Sequence, residues 1–225
     1  MAEMTSSARV SIGRLILVPA VISLAITLLR LAGELQNWPV GLFNPSAGGG
    51  FAPIGITWLV LIFGIYFALR LARAGEGPAS NGRAVAFALT GVVVMFTGGF
   101  VAFAPEPDFP GKRIVGLLII IASAVIQFSG WPMLAKTLLA YGYAARIPVA
   151  ILMFFAIRGQ WGTHYDVLPP NFPPDLGFWP TYLQIGFLPQ MIFWVAFTVT
   201  VGALFGSIAN AIANRRRPAT RAAGG

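Results

Sequence analysis

The chain has 225 residues, 57% of them apolar even with glycine left out and only 10% charged, against averages for soluble proteins of about 45–50% apolar with glycine counted and about 25% charged. Its 15 basic and 7 acidic side chains are too few to wet the surface of a 24.0 kDa globule, which excludes an ordinary soluble enzyme and a disordered chain. The absence of cysteine excludes a disulfide-stapled secreted domain, iron–sulfur ligation and thiol exchange.

The composition implies an all-α integral membrane protein, a single polytopic domain over residues 1–225. A helix that crosses about 30 Å of hydrocarbon needs about 20 largely apolar residues. Six stretches meet this: Gly13–Leu31, Ile54–Leu71, Ala84–Ala104, Ile114–Pro132, Thr137–Ile157 and Tyr182–Ala211. Each is apolar all round, as expected where lipid is the outer solvent. Arg9 and Arg14 ahead of the first run resemble the basic start of a secretory signal. No small-residue cleavage site follows, so the first helix is expected to be retained.

The fifth span contains Arg146, because the run after it, Ile147–Ile157, is too short to cross by itself. Gly130-Trp131-Pro132 supplies the break before that helix. Five spans with a re-entrant fourth segment is the competing arrangement. With the N-terminus inside, the cytoplasmic segments hold Arg9, Arg14, Arg70, Arg73, Arg83, Lys136, Arg146, Arg215, Arg216, Arg217 and Arg221. The other side holds Arg30, Lys112, Arg113 and Arg158, a bias of 11 to 4 that places both termini in the cytoplasm. Arginine outnumbering lysine on an Ala- and Gly-rich chain fits a bacterial inner membrane. The net charge of +8 is dispersed at span ends, where it meets anionic lipid. No face suited to nucleic acid is visible.

Most chemistry is eliminated. No Asp, Glu or His falls inside any of the six stretches, which argues against a carrier coupled through buried carboxylates. One histidine and no cysteine exclude bis-histidine haem, and no zinc-hydrolase or phosphate-loop motif is present. No catalytic residue, metal ligand or cofactor site is therefore assigned. The expected outer loop between helices 5 and 6, Arg158 to Thr181, is rich in proline and aromatic residues and should pack as a cap on the bundle, or alternatively serve as a lid.

Five residues remain as ligand-site candidates. His164 could act as a base oriented by Asp166, with Glu34 or Arg158 nearby, or the loop could simply pack it. Arg146 has no acid in the spans to neutralise it. It could snorkel to the headgroups beside Tyr141 and Tyr143, or face the bundle interior near Gln127 and hold an anion. Gln190 completes a polar lining with Arg146 and Gln127. Gly98-Gly99 and Gly202-x-x-x-Gly206 offer faces for a homo-oligomer or a membrane partner, and Pro148 and Pro189 are expected to kink helices 5 and 6. Three functions survive, ranked as an accessory or structural membrane component without enzymatic activity, a small-solute permease without carboxylate-based coupling, and an enzyme with an outer His164/Asp166 site.

Overall fold

The computed structural model describes residues 10–49, 52–106, 108–170 and 172–215. Arg9 and most of the basic tail (Arg216, Arg217 and Arg221) lie outside the described residues, as do Glu3, Gly50 and Asn171. Within them the chain is helical with no strand. The long elements are α1 (Ile12–Leu35), α2 (Leu59–Arg73), α3 (Asn81–Phe103), α4 (Lys112–Gly130), α5 (Pro132–Gly159) and α6 (Phe178–Arg215). Five of these are long and apolar enough to cross a membrane; α2 is the exception. It has 15 residues, about 22 Å of rise. The turn that occupies Pro53–Trp58 shortens the expected second span at its start.

Two helices are longer than expected, for local reasons. Nothing in Ala32-Gly33-Glu34-Leu35 breaks a helix, so α1 runs four residues past Leu31 and takes Glu34 with it. Pro132 sits at the first position of α5, where its missing N–H costs nothing, so that helix begins straight after Trp131 rather than at Thr137. It then runs unbroken through Pro148. In α6 the stretches Tyr182–Phe187 and Pro189–Phe193 are π-helical, with wider turns than the remainder. Such departures within a helix recur at functional sites.

Side chains that link the helix ends show an up-and-down order. Trp131 Nε1 donates to the Glu76 carbonyl at 2.8 Å, and Asn210 Nδ2 donates to Asn81 Oδ1 at 2.9 Å. Arg14 of α1 and Arg70 and Arg73 of α2 line one hollow. The starts of α1, α3 and α5 therefore share one end of the bundle with the ends of α2, α4 and α6. The described parts of loops 36–58 and 160–177 lie at the opposite end.

Glycines set the closest approaches. A Cβ on Gly64 would stand 2.5 Å from the Gly202 carbonyl oxygen, and one on Gly206 would stand 2.6 Å from that of Gly64. Gly98 meets Gly116 and Ile120 in the same way. Gly98, Gly202 and Gly206 are thus packed against helices of their own chain, whereas Gly99 meets nothing within 4 Å. Interior hydroxyls pair between helices, Ser23 Oγ with Tyr141 at 2.8 Å and Ser123 Oγ with Thr200 Oγ1 at 3.1 Å. Outward faces carry large apolar groups at high exposure, Phe96 at 71% and Ile114 at 66% among them. Water would not tolerate apolar surface on this scale. The helices are compatible with a multi-pass membrane protein.

Candidate functional site

At the end of the bundle that carries the two long loops, a cavity of about 460 Å³ opens between α1, α5, α6 and those loops. Its walls are mainly apolar, with Ile26, Val149, Met153 and Ile185 on the helices and Trp58 and Val167 on the loops. The π-helical stretches of α6 supply Gln184, Pro189 and Gln190.

Arg146 forms part of the wall from near the middle of α5. It is 5% exposed, its Nη1 donates to Gln190 Oε1 at 3.3 Å, and its guanidinium carbon lies 4.6 Å from the centre of the Trp194 ring. Because α5 starts at Pro132, Arg146 lies about four turns in, too deep for snorkelling. Tyr143 points outward and Tyr141 is bonded to Ser23 instead. Among the described residues no carboxylate pairs with Arg146. The ring face of Trp194 attracts the cation but does not neutralise it.

A second polar cluster closes the cavity toward the loops. Arg30 and Glu34 are one helical turn apart on α1. Arg30 Nε donates to Glu34 Oε1 at 2.8 Å, and Nη2 reaches the carbonyls of Asn44 at 3.1 Å and Gly49 at 2.9 Å. The 160–177 loop brings His164 onto the same carboxylate. The His164 backbone N–H donates to Glu34 Oε2 at 2.8 Å, and Nδ1 meets Oε1 at 2.6 Å. Tyr165, 4% exposed, donates its hydroxyl to the Thr27 carbonyl at 3.2 Å. Burial lowers the His164 pKa below its ordinary value, against the opposing pull of Glu34, and burial raises that of Tyr165. With Nδ1 engaged, the ring's Nε2 makes no hydrogen bond among the described residues, and no sealed side-chain nitrogen there lacks a partner. Nε2 is therefore not fully sealed from water, on a ring that forms part of the cavity wall.

The expected site residues separate into two groups. Arg146, Gln190 and His164 come together around the cavity. Gln127 does not; buried between α3 and α4, it donates to the Ser123 carbonyl at 3.0 Å and the Phe87 carbonyl at 3.5 Å. Asp166 does not orient the imidazole. Its carboxylate accepts from the Gly162 and Thr163 N–H groups, both at 2.8 Å, and from Thr163 Oγ1 at 2.7 Å, which folds the turn that presents His164. Glu34 holds the ring instead, and Arg158 is exposed. Only part of the loop packs down, with Thr163 and Tyr165 buried, whereas residues 173–177 are exposed.

Sequence reasoning placed Glu34 only as a possible neighbour of His164, and it missed Arg30 and Trp194. The pairing of Arg30 with Glu34 carried a signal, because an Arg and a Glu four residues apart at the end of a long apolar run pair if the helix continues. Among the described residues no cluster of three or more His, Cys, Asp or Glu side chains forms a metal site. No protein-family model matches the chain, and no curated protein or solved structure matches it.

Proposed function

We propose that this chain is a permease-like, multi-pass membrane protein that binds a small organic anion in the cavity between α1, α5 and α6. The reading rests on Arg146, a buried guanidinium in a cavity wall that has, among the described residues, one neutral hydrogen-bond partner and no carboxylate. An unneutralised cation at such depth is costly, and an anionic ligand relieves that cost. Glu34, behind the wall, cancels the charge of Arg30 within it, so the cavity is left with the charge of Arg146. Apolar walls with Trp58 and Trp194 suit a flat hydrocarbon body behind the anionic group. A closed, dry bundle would suit an accessory or structural role better than this open cavity does.

In this reading the chain crosses six times with both termini cytoplasmic, and the short α2 is completed by the turn ahead of it. The arginines around the hollow at the opposite end support that sidedness.

Calorimetric titration of the detergent-solubilised protein with a naphthalenesulfonate, which stays charged at every working pH, tests the proposal. The sulfonate is expected to bind and its neutral sulfonamide to bind far more weakly. Arg146→Gln should weaken sulfonate binding at least tenfold, the equivalent of about 1.5–3 kcal/mol for a hydrogen bond to a charged group, with the unfolding temperature checked alongside. Equal affinity of sulfonate and sulfonamide, or of variant and parent, overturns it.

A further inference from the structure

A protonatable site stands in the same wall as the anion site. Glu34 lies within α1, with its side chain fully buried, and His164 lies against it. Glu34 is an acid of the kind whose apparent absence from the spans argued against coupling. Resting on the reading above, we infer that anion binding in the cavity is linked to uptake of one proton at His164 Nε2, which makes the anion a proton-coupled ligand.

The groups around the ring set the direction of the coupling. On α1, Glu34 favours the imidazolium and Arg30 opposes it. On the ring's own loop, Asp166 favours it and Tyr165 is a buried neutral phenol; from α5, Arg146 adds positive charge to the shared cavity. Without a ligand, burial first and the Arg30 guanidinium second disfavour the charged imidazole. A bound anion supplies negative charge that offsets Arg146 and makes a second cation in the wall tolerable. The Nε2 lone pair then takes a proton from hydronium: an N–H bond forms, an O–H bond breaks, and water leaves. Glu34 accepts from Nδ1–H throughout, so the ring keeps its orientation while its charge changes. One anion and one proton bind together, and the cavity gains no net charge. By thermodynamic reciprocity, protons raise anion affinity by the factor by which the anion raises proton affinity.

The sequence contains one histidine, so a single isotope-labelled imidazole signal in tag-free protein reports this site without ambiguity. Saturating naphthalenesulfonate is expected to move the titration midpoint of that signal upward. Between about pH 8 and about pH 5 the sulfonate affinity should rise, with a limiting slope of about tenfold per pH unit. Titrations in buffers of different ionisation enthalpy should show proton uptake approaching one per sulfonate. His164→Asn keeps a donor toward Glu34, and its affinity, whatever its absolute level, should not vary with pH. Sulfonate binding to the parent with a flat pH profile and an unmoved imidazole signal overturns the coupling and leaves the anion site standing. Absence of sulfonate binding at every pH overturns both.

Discussion

Arg30 shows how much one side chain holds in place at this end of the molecule. Its guanidinium satisfies Glu34 and two loop carbonyls at once, so truncation leaves a buried carboxylate with only His164 as partner and frees the carbonyls of Asn44 and Gly49. Removing one partner of a buried ion pair costs about 3–5 kcal/mol, and Arg30→Ala should destabilise the protein to that extent. Thermal unfolding in detergent measures it, and a parent-like transition would show that the pair contributes little. His164 gives a second expectation at this scale. Its folded pKa lies below the ordinary value of 6.5, so the folded state favours neutral imidazole while the unfolded chain protonates first. The associated stability is intact above about pH 6.5 and declines as pH falls toward the folded value. The unfolding temperature of the empty protein should drop across that window, and His164→Asn should lose this component of the drop.

Among the elements, the crossing of α2 and α6 depends on the absence of side chains. A methyl group on Gly64 would press on the Gly202 carbonyl, which is backbone and cannot swing aside. Gly64→Ala should therefore cost about 1–3 kcal/mol through overpacking. Gly99→Ala on α3 meets nothing within 4 Å and should be neutral or stabilising by up to about 1 kcal/mol through helix propensity. Equal effects of the two substitutions, read by the same unfolding assay, would contradict this packing. Both glycine pairs were visible in the sequence as places of close approach. Which helices they bring together was not, because a small-xxx-small pattern fits a neighbour in the same chain as well as one in another copy.

For the whole molecule the decisive property is sidedness, and a chain without native cysteine allows it to be read directly. Ala79 precedes α3 at one end and Asp175 lies in the loop at the other, both exposed. Asp175→Cys in intact cells should react with an impermeant maleimide, and Ala79→Cys only after permeabilisation. Labelling of both from the same side would contradict the up-and-down order, and the reverse pattern would invert the proposed orientation.

Hydropathy sums residue by residue along a chain, so the helical, multi-span character of this protein could be derived from its sequence without any knowledge of contacts. The same addition placed most helices within a few residues and isolated Arg146 as a charge without a local partner. It failed at Leu31–Leu35 and at Pro53–Trp58, where a helix continues or stops according to what packs on it. The site was decided by tertiary structure, because its bonds join residues far apart in the chain: Glu34 to His164 across 130 positions and Arg146 to Gln190 across 44. A lone acid at a span end and a lone histidine in a loop each look like surface groups. Only the folding of the 160–177 loop onto α1 buries them together and sets the imidazole into the wall of a cavity with Glu34 behind it.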